Sequence, residues 1–320
     1  MRFGLFGSAQ ARRESADPAA GFRDYVDYNV EAEALGFHGS FLVEHHFTGI
    51  GQVSAPLALL AWVAARTTRL RLGTAVIVLP WHNPVLLAEE AATLDLMSGG
   101  RLDLGVGRGY RFTEFQGFAL DIGEADARFE EAVGLIRKAW ISEARFSHQG
   151  RFWRYGNILV EPPPFQKPHP PLWIAAGSER SIRRTASLGA NLLLDQFAPV
   201  SAVAERIALY RGEAKGEVAV ARNIFVAYDE AEKARALDHA KAQHARMIAL
   251  SQDPGHEITS HILGYEGASE AAALYGAPEE ICRGIDALRR AGAEYVLVNT
   301  GGTATEQLRR FARDVMPAFR

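Results

Sequence analysis

Three short stretches of this sequence combine residue types and spacings suited to chemistry. Glu44-His45-His46 is the densest ionisable run, Gly105-Val106-Gly107-Arg108-Gly109 sets an arginine among glycines, and Ala176-Gly177-Ser178-Glu179-Arg180-Ser181 places hydroxyls before a helical pattern. A histidine near its ordinary pKa can move a proton or donate a hydrogen bond at neutral pH. Glycines let a backbone approach a ligand closely, and a guanidinium makes charge-assisted hydrogen bonds to a phosphate. A helix start adds free N–H groups and the positive end of the helix dipole, so Gly177, Ser178 and Ser181 read as a phosphate cradle beside Arg108. Two anion-ready features favour a phosphorylated cofactor. Plainer readings stand beside these: Ser178 as a simple N-cap, the glycines as a structural turn, and either histidine as a packing residue.

The elements that must position these residues alternate along the chain. Short β-branched or apolar runs occur at Phe3–Ser8, Gly39–Glu44, Leu70–Leu79, Leu102–Val106, Leu172–Ala176, Asn191–Leu194, Val218–Ala227 and Tyr295–Asn299. Apolar residues at helical spacing lie between them, over Phe22–Leu35, Leu57–Arg66, Pro84–Met97, Asp126–Ile141, Ser181–Leu188, Val200–Arg211, Asp229–Leu250, Pro278–Ala291 and Thr305–Val315. Eight strands with interposed helices predict an α/β fold, a (β/α)8 TIM barrel formed as one domain over residues 1–320. Such a barrel carries its site at the carboxyl ends of the strands, where the three stretches fall. Alternation along strand 2 lets only one of His45 and His46 face the barrel mouth while the strand lasts. Two segments exceed the plain barrel: Phe146–Pro171, read as a hairpin and polyproline-like return inserted before strand 5, and Ser251–Gly276, a lid-like loop after strand 7. The hairpin explains Trp153 as a residue packed on the barrel rather than a pocket wall.

The 320 residues are 48% hydrophobic with a net charge of −3, which excludes disorder and argues against a nucleic-acid or anionic-membrane binder acting through bulk charge. The longest apolar run, residues 56–65, is too short to span a bilayer, and the amino terminus lacks a signal-peptide core. The lone Cys282 forms no disulfide within the chain, as in a cytoplasmic protein, and beside the Ile281, Ile285, Leu288 stripe it reads as a buried structural thiol. A metal centre is disfavoured, because strand 1 carries no His-x-His and strand 8 ends in Asn299-Thr300 without an aspartate. No Rossmann fingerprint accompanies Gly105–Gly109.

Glu44-His45-His46-Phe47, Gly73–Pro80, His82-Asn83-Pro84-Val85, Asp95–Arg101, Gly105–Gly109 and Asp314-Val315-Met316-Pro317 together resemble the bacterial luciferase-like flavin-dependent monooxygenases. The resemblance runs in order over nearly the whole chain. It implies a (β/α)8 barrel that binds reduced FMN delivered by a separate NAD(P)H-dependent flavin reductase, and that oxidises a small organic substrate with O2 through a flavin C4a-peroxy species. It further implies His45 as the catalytic histidine and Glu44 as a neighbouring cofactor contact. Ala75-Val76 would be a non-prolyl cis peptide supporting the isoalloxazine, and Arg108 with Gly177, Ser178 and Ser181 would hold the phosphate. Family members commonly dimerise near the Trp81–Met97 region, so a homodimer is expected. The reactive cysteine of light-emitting α-chains is Gly107 here, so an oxygenase without light emission is expected. An F420-dependent reductase or dehydrogenase of the same fold, and a non-catalytic flavin-binding protein, are the alternatives.

Overall fold

The computed structural model describes residues 1–11, 16–251 and 272–320. Its centre is a closed ring of eight parallel strands: β1 (Arg2–Gly7), β2 (Gly39–Leu42), β3 (Arg71–Thr74), β5 (Leu102–Gly107), β8 (Leu172–Ala175), β9 (Asn191–Leu194), β10 (Val218–Val226) and β12 (Tyr295–Asn299). The ring closes through the β1–β12 pairing, with Arg2 opposite Tyr295 and Leu5 opposite Val298. Helices α1 (Ala20–Leu35), α2 (Pro56–Arg66), α3 (Pro84–Met97), α5 (Ala125–Ile141), α6 (Glu179–Ser187), α7 (Val200–Arg211), α8 (Glu230–Ser251), α9 (Pro278–Arg290) and α10 (Thr305–Asp314) accompany it, and the short α4 spans Phe112–Gly117.

Local chemistry sets the helix ends. Asn83 caps α3 by accepting from the Val85 and Leu86 N–H groups at 3.0 and 3.1 Å, with Pro84 in the first turn. Gly99 and Gly100, at φ of 66° and 83°, turn the chain out of it. The Asp95–Arg101 motif is scaffolding at this junction. The Asp95 carboxylate accepts from the Gln166 backbone and side chain at 2.8 and 2.7 Å, and Arg101 donates to Ala64, Leu70 and Ser98 carbonyls.

The expected strand over Leu70–Leu79 is broken. β3 ends at Thr74, the Ala75–Val76 peptide is cis, and β4 (Ile77–Val78) pairs only with β5, Ile77 opposite Val106. A strand absent from the sequence reading, β11 (Leu274–Gly276), lies parallel to the upper part of β10. Its cause is length: β9 covers Val218–Val220 and β12 covers Ala219–Asn223, so Ile224–Val226 run on beyond both neighbours and pair with β11. The rest of the lid-like Ser251–Gly276 segment, residues 252–271, lies outside the described residues. The inserted hairpin is present as β6 (Phe146–Gln149) and β7 (Arg154–Ile158), and Glu131 on α5 clamps its turn by accepting from the Arg151, Phe152 and Trp153 N–H groups, each at 3.0 Å. Cys282 is half-buried at the edge of the core rather than buried, because it sits one position off the Ile281–Ile285–Leu288 stripe.

Two apolar layers result. The larger lies between strands and helices, while Phe41, Trp173, Leu193, Ala219, Ala221, Tyr295 and Leu297 fill the barrel interior. Phe41, Trp173 and Tyr295 meet edge to face at centroid distances of 5.8 to 6.2 Å and plug the barrel. Phe6, Ala75 and Val76 pack on this plug and also line the cavity above it.

Candidate active site

A cavity of about 840 Å³ is lined by residues that follow the barrel strands, among them Ser8, Glu44, His45, Ala75, Val76, Arg108, Gly177, Ser178, Ser181, Asp195 and Asn299. The volume is in the range of cofactor and substrate sites.

β2 ends at Leu42, two residues short of the expected Glu44, so His45 and His46 lie beyond the strand, yet their side chains still divide. His45 lines the cavity, and its Nδ1 lies 3.0 Å from Glu114 Oε1, which also accepts the His46 N–H at 2.9 Å. A carboxylate oxygen there places the ring proton on Nδ1 and leaves Nε2 as the free acceptor. Burial pushes the His45 pKa down, opposed by the Glu114 hydrogen bond and aided by Arg111, so the ring is neutral at pH 7. His46 turns the other way, its Nε2 2.9 Å from Glu44 Oε1 and its ring edge-on to Phe118 at 4.8 Å.

Glu44 is 1% exposed, and its carboxylate is committed to the wall. It accepts from the Val78 N–H at 2.7 Å and Trp81 Nε1 at 3.2 Å, and meets His82 Nε2 at 2.7 Å as well as His46. Burial acts to raise this carboxyl, but the hydrogen bonds of His46, His82 and Val78 outweigh it and hold the group at about 2. Glu44 therefore ties the end of β2 to β4, and it also lines the cavity.

The glycines of the Gly105–Gly109 run face protein. A Cβ on Gly105 would lie 1.7 Å from the Thr74 carbonyl oxygen, one on Gly107 2.5 Å from Val76 Cγ2, and one on Gly109 2.6 Å from Val78 Cγ1. They admit the broken β3–β4 segment, and Val76, Gly107 and Gly109 all stand in the cavity wall.

At the second anion feature a capping box forms, and it takes up the Gly177, Ser178 and Ser181 N–H groups that the sequence reading left free. Ser178 caps α6 by accepting from the Ser181 N–H at 3.3 Å, and Ser181 Oγ accepts from the Gly177 and Ser178 N–H groups at 3.3 and 3.1 Å. The N-cap reading is thus correct for Ser178, and all three residues also line the cavity. Around this helix start stand Arg108, Arg180 and Arg184. Asp126 holds Arg108 Nη1 at 3.3 Å and Arg184 Nη1 at 3.0 Å, while Arg180 lies 3.7 Å from Glu130. Across the mouth α8 contributes His239, His244 and Arg246, with His244 stacked on Phe197 at 4.8 Å.

The structure thus brings Glu44, His45, Ala75, Val76, Arg108, Gly177, Ser178 and Ser181 to one cavity. Sequence reasoning missed Glu114, Arg111, Asp126 and Arg184, each on or beside a helix turn whose direction no local pattern gives; the Arg180 and Arg184 spacing on α6 was the available signal. Among the described residues, no group of three or more His, Cys, Asp or Glu could hold a metal, and no helix is long and apolar enough to cross a membrane.

Barrel, broken third strand and strand-end histidine define a class, and the sequence comparisons agree with it. The family model described as luciferase-like monooxygenase matches residues 1–295, and the chain belongs to that family of oxidoreductases. The oxygenase component of the flavin-dependent trigonelline monooxygenase of Acinetobacter baylyi is 30% identical over 194 residues, which is 60% of this chain and 53% of that protein. The match therefore spans about half the length of that relative. The crystal structure of the monooxygenase RslO1 from Streptomyces bottropensis covers 100% of both chains with a TM-score of 0.88 at 28% identity. An F420-dependent secondary alcohol dehydrogenase, at 17% identity over 100% of this chain and 99% of its own, shares the fold with a TM-score of 0.81.

Proposed function

We propose that this protein is the oxygenase component of a two-component flavin monooxygenase. It takes reduced FMN from a separate NAD(P)H-dependent flavin reductase and, with dioxygen, oxidises a small organic substrate without emitting light. The observation that supports this most is the meeting, in a single cavity of about 840 Å³, of an anion-binding end and a wall built from His45, Ala75 and Val76. The residues fit the cofactor. Arg108, Arg180 and Arg184 beside the start of α6 suit a phosphate, and the apolar wall over the Phe41–Trp173–Tyr295 plug suits a flat ring.

Reduced FMN, when bound, supplies the two electrons that activate dioxygen. Arg108 and Arg184, with Gly177, Ser178 and Ser181, hold its phosphate, and Ala75 and Val76 support its ring. Neutral His45, with Nδ1 engaged by Glu114, takes or returns a proton at Nε2. The barrel plug excludes water from below, which favours oxygen transfer over peroxide release. Glu44 acts through the wall, fixing β4 by the Val78 N–H. The exposed apolar side chains Trp62, Leu86, Met97 and Ile141 support a homodimer built on α2, α3 and α5, measurable by light scattering. Dependence on NAD(P)H supports a cytoplasmic location.

Anaerobic titration with FMNH2 and with F420H2, followed by mixing with oxygenated buffer and a panel of substrates, tests the reading. Tight FMNH2 binding with substrate-coupled oxygen uptake is expected. Preference for F420H2 without oxygen uptake would transfer the protein to the F420-dependent reductases, and FMN binding without any turnover would make it a non-catalytic flavin carrier.

A further inference from the structure

We propose that the Arg111 guanidinium receives the anionic group of the organic substrate, and that this substrate is a carboxylate. The inference rests on the oxygenase reading and names the substrate class of that site. Arg111 is 4% exposed and lines the cavity at the turn into α4, close to the His45–Glu114 pair. Its Nε and Nη1 are fully buried, and neither has a hydrogen-bond partner. The nearest carboxylate oxygen, Glu114 Oε1, lies 3.9 Å from Nη1, beyond hydrogen-bonding distance, and already serves His45 Nδ1 and the His46 N–H.

The other arginines make close polar contacts that Arg111 lacks. Arg108 meets Asp126, Arg184 has a buried Nε without a partner but meets Asp126 and Glu130 through Nη1, Arg180 lies by Glu130, and the buried Arg222 donates to the Asp195, Ala198 and Ala221 carbonyls. A buried cation whose donors lack acceptors is costly, and a negative oxygen brought against the part of the guanidinium that lines the cavity offsets that cost by charge pairing. One guanidinium with a carboxylate 3.9 Å away suits a monoanion better than a dianion, because Glu114 repels the second charge. A small organic monocarboxylate is the chemistry this guanidinium recognises.

The test is calorimetric titration of the full chain, with and without FMN, using benzoate and hexanoate against benzamide and hexanamide. The carboxylates are expected to bind at least about tenfold tighter than their amides. Arg111→Gln should remove that preference while leaving FMN affinity within about twofold, and Arg246→Gln should keep it. An absent preference in the native chain, one that survives Arg111→Gln, or one that disappears with Arg246→Gln instead, overturns the assignment. Should Arg111→Gln fail to fold, Arg111→Lys decides: its charge without the guanidinium geometry is expected to weaken the preference, and an undiminished one overturns the proposal. If FMN itself does not bind, the flavin reading fails, and the titrations made without FMN still decide Arg111.

Discussion

Val76 occupies the space that a side chain on Gly107 would need: a Cβ there would lie 2.5 Å from Val76 Cγ2. The two residues face each other across the gap between β3 and β5, and Val76 lines the cavity. The position to which the family resemblance assigns a reactive cysteine in light-emitting α-chains is thus filled by Val76, between β3 and β4. Lack of that thiol is a packing solution as well as a chemical departure.

Gly107→Cys is therefore expected to destabilise the protein by about 1–3 kcal/mol through overpacking. The double variant Gly107→Cys, Val76→Ala should recover most of that loss, giving a non-additive cycle in urea unfolding. Additive effects would show that the two side chains do not compete.

Glu44 makes stability depend on acid. Its folded pKa, about 2, lies below the ordinary carboxyl value of 4.5, so its contribution is present above pH 4.5 and is lost as pH falls toward 2. The full loss is about 3 kcal/mol from the shift. Urea midpoints between pH 5 and pH 3 should fall more steeply for the native protein than for Glu44→Gln.

His45 is expected to act in its neutral form, and its pKa is pushed below the usual imidazole value by burial. The acidic limb of kcat/KM should therefore lie below pH 6.5. Glu114 hydrogen bonding raises this pKa, so Glu114→Gln should move the limb further down. The same change should lower kcat by roughly 10–100-fold as the ring loses its fixed tautomer. Unchanged kcat and pH profile would remove Glu114 from a positioning role.

At the anion end, Arg184→Gln and Arg108→Gln should each weaken FMN binding by about 10–100-fold, the worth of a charge-assisted hydrogen bond, with little effect on riboflavin, which lacks the phosphate. Equal losses for FMN and riboflavin would place these arginines away from the phosphate.

The barrel was legible in the chain because each of its eight strands is a short apolar run bounded by polar residues or glycine, and period and punctuation are local properties. Local pattern also brought out the Ser178–Ser181 cap and the strand-end position of His45, since capping and alternation act within a few residues. What local pattern does not carry is which distant groups meet. Glu114 lies 69 residues beyond His45, and only closure of the ring around the plug brings β2 against α4. The same closure brings the Glu44 carboxylate to His46, His82 and β4, and packs the glycine run against Thr74, Val76 and Val78. It also buries the Nε and Nη1 of Arg111 without acceptors. Sequence determined the eight barrel strands and their order, because propensity and periodicity are set by neighbours along the chain, but not the break after Thr74 or the added β11. Tertiary structure alone decided how the charges pair, because pairing depends on distances between residues that the chain keeps far apart.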